Sequence, residues 1–519
     1  MSNDKPMLAS RRAMLKKTAA LAAGGATLMV AGPSRASECK PVTPKFDEIY
    51  DIIVVGSGFA GMAAAVQAAE DGAKVLVIDK MPVFGGNSTI NGGAMAVAGS
   101  HLQEKEGVKD SVALMVEDML AAGRGMNDKK MLELVCDGTA ESAKWLEERG
   151  TVWKPFVQHF GGHSVPRILQ TRESSGAGII RPLIKVANKK GVTMYTQTEL
   201  RGFVKNEDGR IVGVQVQSDY FWPKKRSGSP KMYGARKGVI MATGGFGRDI
   251  DFRQIQQPSL TDELDSTNHA GATADALKLM MLEGANPVHL DQIQLGPWSS
   301  PDEKGFGTAS QFNTIATYQN GLVVDVRTGE RFFNELADRK ARADAIMTRR
   351  DDEGKPVYPV GFTNAKGAAQ AQTLAWGLKY DVIKKADTLE ELAEIYGMPA
   401  DKLVAQVERW NEAVRTGEDK EFGRPLMQAF ELKEGPWYGV RMWPKVHYCM
   451  GGVRVNTHSE VLHLVTNKPI TGLYAAGEAT GGIHGASRLG ACAVAEGVVT
   501  GRNAAKHAFA SNTVELQLA

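Results

Sequence analysis

The chain has 519 residues, of which 43% are hydrophobic and 23% charged, with 57 glycines and a formal charge of +3. That length can enclose more than one hydrophobic core, and that balance excludes a fibre or a disordered chain. The first 36 residues hold six of the 62 basic and one of the 59 acidic residues; without them the balance is 56 to 58, a net −2, and a nucleic-acid partner has no support.

Residues 1–36 read as an export leader. Arg11 and Arg12 precede an apolar stretch, and Ser34-Arg35-Ala36 offers a small-residue site for cleavage after Ala36. Twin arginines point to the Tat route, which exports folded, cofactor-loaded proteins, and hence to the periplasm. The apolar run 19–32 is too short and too rich in glycine to span a bilayer. Four cysteines follow, Cys39, Cys136, Cys449 and Cys492, with no CxxC or CxxCH spacing. No zinc ribbon, iron–sulfur run, c-type haem or other metal site is expected, and the cysteines read as mostly free and buried.

"YDIIVVGSGFAGMAAAVQAAEDGAKVLVIDK" begins with an apolar strand, Ile52–Val55, that runs into Gly56-x-Gly58-x-x-Gly61. A helix of small residues follows, then a strand over 74–78 that ends in Asp79. Glycines between strand and helix let backbone approach a pyrophosphate at the helix N-terminus, and Asp79 is placed for a ribose hydroxyl. Ala60 and Lys80 stand beside these groups. "FGGNSTINGGAMAV" (84–97) supplies a backbone-rich loop of the kind that surrounds a flavin ring, with Gly86, Asn87, Ser88, Gly92 and Gly93 as candidate contacts. "GVIMATGGFG" (238–247) and "GLYAAGEATGG" (472–482) are short apolar strands ending in glycine; they add Thr243, Gly244, Gly245, Gly477 and Glu478. A C-terminal strand that returns to the nucleotide fold favours FAD over a nicotinamide cofactor. The expected class is α/β: a Rossmann-like, glutathione-reductase-like FAD-binding domain over 45–290 and 449–510, with an inserted α+β capping domain over 291–448. Residues 128–148 read as one amphipathic helix, 388–417 as two helices broken at Gly397-Met398-Pro399, and 218–234 as an exposed hairpin excursion.

"GGNST", "VHYCMGG" and "GEATGGIHGASRLG" together resemble the flavoprotein family of fumarate reductases, succinate dehydrogenases and soluble flavocytochromes c, over roughly 48–507. The resemblance implies that Arg488 and His447 bind a substrate carboxylate over the flavin. It also implies that the helix from about Gly490, with Ala493 and Val494, faces the ring. Arg339, in "RFFNELADRKARA", matches the family arginine that donates a proton. From chemistry alone an arginine is a poor acid, and the alternative is that Arg339 polarises the substrate while water or a tyrosine delivers the proton. Members with covalent FAD carry a histidine in the loop matching 84–97; this chain has none, which implies noncovalent FAD. The flavocytochromes' haem motifs are also missing, which implies a separate c-type cytochrome or quinol-linked donor as partner, and a membrane link only through that donor.

The departures are informative. Where fumarate reductases carry a histidine for a second carboxylate, "QIQLGPWSS" (292–300) places Gly296. Where they carry a Glu/Arg proton relay, "NTIATYQNG" (313–321) places Ile315 and Tyr318, keeping Thr314. An unpaired charge in a desolvated pocket costs several kcal/mol, so an acid with one carboxylate fits better than fumarate, its far end facing Tyr318, Trp298 or Phe312. Urocanate, cinnamate-like acids, acrylate and methacrylate are the candidates. The function expected is that of an exported FAD-dependent ene-reductase using the acid as terminal electron acceptor. The alternatives are a fumarate reductase proper, a dehydrogenase of the same fold passing electrons out, and a flavin-carrying electron-transfer subunit. His159 and His163, four apart in "QHFGGHS", read as a turn supporting the cap.

Overall fold

The computed structural model describes residues 44–224 and 227–519. The segment 1–36 expected to be an export leader, and Cys39, lie outside the described residues. At the centre is the strand Glu48–Val55, parallel to Val75–Ile78 on one side and to Ser229–Met241 on the other. Thr193–Tyr195 and Pro469–Ala475 extend the parallel array outward. Continuous β-branched runs such as Ile52–Val55 suit strands covered on both faces, and Ile52, Ile53 and Val54 are fully buried. Ile211–Ser218 and Ser229–Met241 pair antiparallel, closing the expected hairpin, although Tyr220 in its excursion is buried, not exposed.

The helix Phe59–Glu70 starts directly after Gly58 and packs on the C-terminal helix Cys492–Ala510. Small residues make that approach possible: a Cβ at Gly501 would stand 2.2 Å from the Ala60 carbonyl oxygen. Gly61 lets the same helix sit close on the strand side instead, since a Cβ there would stand 1.9 Å from the Gly56 oxygen. Of the three motif glycines, Gly61 is therefore a packing residue.

A second, antiparallel sheet has the order Glu330–Arg331, Leu322–Asp325, Val360–Asn364, Trp437–Arg441, Lys384–Ala386. The helices Leu389–Tyr396 and Ala400–Thr416 cover it, separated at Gly397, whose φ of 68° ends the first as a left-handed cap. The stretch 128–148 is two helices, Lys129–Asp137 and Thr139–Glu148, interrupted at Gly138 against Val499. Cys136, Cys449 and Cys492 are free and buried. Between the sheets, Ile293–Gly296 pairs antiparallel with Lys445–Cys449. One apolar core runs from Ile53 and Val239 through Trp298 and Tyr318 to Trp443, so this ribbon is rooted in the same packing as the central strand. Among the described residues no helix is long and apolar enough to cross a membrane.

Candidate active site

A cavity of about 460 Å³ opens at the C-terminal ends of the parallel strands and continues to the ribbon and the second sheet. Open α/β sheets bind ligands at that end because strand-to-helix turns present free backbone N–H groups there. Gly56, at φ 100°, makes the first turn; a Cβ would stand 2.3 Å from the Ala242 oxygen. Asp79 lines the cavity and accepts from the backbone N–H groups of Ser57 (3.2 Å) and Met81 (2.9 Å). Lys80 lines it too, its ammonium on Thr273 Oγ1 (2.6 Å) and Asp275 (3.2 Å). Ser88 Oγ accepts from the N–H of Phe59, which fixes the 84–97 loop against the helix start. Gly244 has φ 73° and only open space where a Cβ would be. Glu478 accepts from the N–H of Cys449 (2.9 Å), and burial pushes its carboxyl up to about 8.

Of the expected cofactor residues, Gly56, Gly58, Ala60, Asp79, Lys80, Gly86, Asn87, Ser88, Gly92, Thr243, Gly244, Gly245, Gly477, Glu478, Arg488, Ala493 and Val494 border this one cavity. Gly61, Gly93 and Gly490 do not. A Cβ at Gly93 would meet the Ser175 oxygen at 2.4 Å, and one at Gly490 would meet Phe160 at 2.8 Å. The helix begins at Cys492, after Ala491 at φ 67°. A cleft bordered by all these segments, floored by glycine backbone and a helix N-terminus, fits FAD.

At its far end the cavity meets Arg339, His447, Arg488, Trp298, Thr314 and Ile315. Arg488 is 3% exposed; its Nη1 donates to the Leu489 carbonyl (3.2 Å) and its Nε has no partner. Its guanidinium lies 4.5 Å over the Tyr448 ring, whose hydroxyl donates to Glu496 (2.5 Å). Arg339 is half-buried; its Nη1 donates to Gln294 Oε1 (3.3 Å), and its guanidinium stacks 4.3 Å over the Trp298 indole. Among the described residues neither arginine has a carboxylate partner. Burial lowers both: Arg339 is held well below the usual arginine value by desolvation, then by Arg488 and Arg342, whereas Arg488 is lowered by desolvation against the opposing pull of Tyr448 and buried acidic groups. His447 is likewise held well below 6.5 by desolvation and the two arginines, so its imidazole is neutral. Thr267 Oγ1 is 2.7 Å from its Nδ1.

Tyr318 and Phe312 do not border this cavity. The Tyr318 hydroxyl donates to the Pro297 carbonyl (2.9 Å), its ring lies 4.4 Å beneath the Arg342 guanidinium, and it faces a smaller cavity behind Trp298. Thr314 keeps its hydroxyl on the Ser310 carbonyl (2.8 Å). Gln294 was not expected. Its Nε2 donates to the Arg488 backbone carbonyl (2.9 Å) while its Oε1 accepts from the Arg339 guanidinium, tying the Arg488 backbone to the Arg339 side chain. The strand register slips between Gln294 and Leu295, a bulge that re-aims the side chain, and no residue pattern announces it.

The 159–163 segment braces both cationic loops. Gly162 N–H donates to the Leu336 carbonyl (3.1 Å) just before Arg339, and His163 Nε2 donates to the Gly490 carbonyl (2.9 Å) just after Arg488. Burial pulls His163 down to about 3, so it is neutral when folded and titrates near 6.5 when unfolded. A depressed folded value means that stability is full above about 6.5 and lost as pH falls toward 3. Acidification to about pH 4 is expected to cost about 3 kcal/mol through this group. His163→Gln, which keeps an N–H for Gly490, is expected to flatten that part of the urea-midpoint-against-pH curve; an unchanged curve would show that the acid loss arises elsewhere.

A nucleotide cleft at the strand ends that leads to unpaired cations marks the class: a flavin-dependent oxidoreductase. Residues 51–494 match the FAD binding domain family. The acrylate reductase flavoprotein subunit of Shewanella woodyi is 44% identical over 98% of this chain and 99% of its own. The urocanate reductase of Eggerthella lenta is 32% identical over 89% of this chain and 74% of its own. The open conformation of a flavocytochrome c3 fumarate reductase superposes with a TM-score of 0.68 at 33% identity, over 89% of this chain and 79% of that one. The chain belongs to the FAD binding domain family and, within it, to the fumarate reductase flavoproteins.

Proposed function

We propose that this flavoenzyme reduces the carbon–carbon double bond of an α,β-unsaturated monocarboxylate of the acrylate type, with FAD held noncovalently. The observation that carries this reading is the pair of cations without counter-ions. A guanidinium removed from water is costly unless paired, and Arg488, beside neutral His447, has donors free for one carboxylate. Bound FAD supplies the reducing equivalents, as a hydride to one carbon of the double bond. Arg488 and His447 bind and orient the carboxylate, Gln294 fixes the spacing of the two arginines, and Arg339 delivers the proton to the adjacent carbon. Ile315 and Trp298 make the far wall apolar and keep water out, which disfavours the second charge of fumarate.

Residues 45–290 with 449–510 would form the FAD-binding domain, and 291–448 the cap that closes on it. The twin-arginine leader supports export to the periplasm, and the lack of haem motifs supports a separate cytochrome or quinol-linked donor. The word "subunit" in the name of the Shewanella woodyi relative agrees with such a partner. The acid would then serve as terminal electron acceptor.

The test is anaerobic. FAD-loaded enzyme is reduced and mixed in turn with acrylate, methacrylate, urocanate, cinnamate and fumarate while flavin absorbance is followed. Fast reoxidation by a monocarboxylate is the expected result; reoxidation by fumarate alone, or by none of the five, overturns the proposal.

A further inference from the structure

We infer that Gly296 and Trp298 act as a coupled pair that sets how long an acid the site accepts, the indole standing where a side chain from position 296 would otherwise reach. This rests on reading the cavity as an unsaturated-acid site. The Trp298 ring, 4% exposed, is bracketed by the Arg339 guanidinium 4.3 Å over its face and the His447 ring 4.9 Å away at 85°. Its loop cannot readily swing aside. Asn313 Nδ2 donates to the Trp298 carbonyl (2.7 Å), the Tyr318 hydroxyl to that of Pro297 (2.9 Å), and the Trp443 N–H to that of Ser299 (2.9 Å).

Gly296 pairs with Lys445 just beyond the bulge and is not among the positive-φ glycines, so its backbone does not demand glycine. Space does. A Cβ at 296 would stand 3.2 and 3.3 Å from indole carbons Cζ2 and Cε2 and 3.4 Å from His447 Cβ. Any larger side chain at 296 and the observed indole compete for one volume, and interiors are too densely packed to absorb the conflict. The result is a short pocket: carboxylate at the Arg488 end, indole across the other. A three-carbon acid fits it; a β-aryl substituent or a second carboxylate meets the ring.

The experiment uses FAD-loaded full chain and two unreactive saturated acids, propionate and 3-phenylpropionate, titrated against oxidised enzyme by flavin absorbance, with kcat/KM for acrylate and cinnamate alongside. The wild type is expected to prefer propionate by at least about tenfold, the order of effect for a misfitting apolar group. Trp298→Ala is expected to erase or reverse that preference and Trp298→Leu to move it the same way by less. Gly296→Ala is expected to weaken propionate binding about tenfold in the wild type yet hardly at all in Trp298→Ala, the non-additivity of residues sharing one space. An unchanged preference in both Trp298 variants at normal FAD content overturns the inference, as does additivity of the Gly296 and Trp298 effects. Equal losses for every acid assign Trp298 to packing alone and overturn it too. A wild type that binds neither acid overturns the functional reading along with it, whereas one that reduces acrylate but fails the variant tests sinks this inference alone.

Discussion

Arg488→Leu is expected to lower kcat/KM for the unsaturated acid by roughly a hundred- to a thousandfold while leaving the ligand-free protein as stable as before, or more so. The two halves share one cause. Removing one partner of a desolvated charge pair costs about 3 kcal/mol or more in binding, and Arg488 is the buried cation best placed for the carboxylate. Without ligand the same guanidinium has lost its water and gained one carbonyl hydrogen bond, a tyrosine face and only the longer-range attraction of Glu478 and Glu496. A leucine gives up those modest contacts and removes a desolvated charge that has no carboxylate in contact with it. Wild-type enzyme is accordingly expected to gain thermal stability from a saturated acid such as propionate, by mass action, and Arg488→Leu to gain none. Melting curves with and without propionate, on samples of equal FAD content, check this. A variant that melts lower and still responds to propionate would show Arg488 to be a structural cation.

Much of the cofactor end was legible because its chemistry is local. Gly56, Gly58 and Asp79 lie within one strand–turn–helix–strand unit, where spacing alone fixes what borders the cleft. The returning strand Pro469–Ala475 could be placed because its terminal glycines match those after Ser229–Met241. Gly61 and Gly93 show the limit of that logic, since their lack of side chain serves helix packing and a tight turn. The substrate end was harder because long-range and register effects decide it. Residues 313–317 form a π-helix in which the Tyr318 N–H donates to the Asn313 carbonyl (2.8 Å). Such a turn carries an extra residue and rotates the side chains after it, so Tyr318 enters the core behind Trp298. Position 296 was legible only as a missing histidine. That its emptiness makes room for an indole two residues on depends on a bulged strand and a pinned loop.

Arg339→Gln is expected to cut kcat by about two to four orders of magnitude, the usual span for a lost general acid, with the affinity for propionate changed far less than in Arg488→Leu. The ordinary objection to an arginine acid is its high pKa. Here desolvation and the neighbouring Arg488 and Arg342 all disfavour the protonated form and lower it well below 12.5. The tyrosines are weaker candidates, since the hydroxyls of Tyr318 and Tyr448 are already donated and burial raises both groups. A general acid works only while protonated, so kcat must fall as pH rises through its value in the folded enzyme. That alkaline limb is expected in the wild type, and its position should move in Arg339→Lys, because an ammonium in the same site starts from a lower intrinsic value, about 10.4. In Arg339→Gln the limb should vanish along with most of the rate. A limb that stays in place in both variants would mean that water delivers the proton, leaving Arg339 only to polarise the double bond from its seat on Trp298.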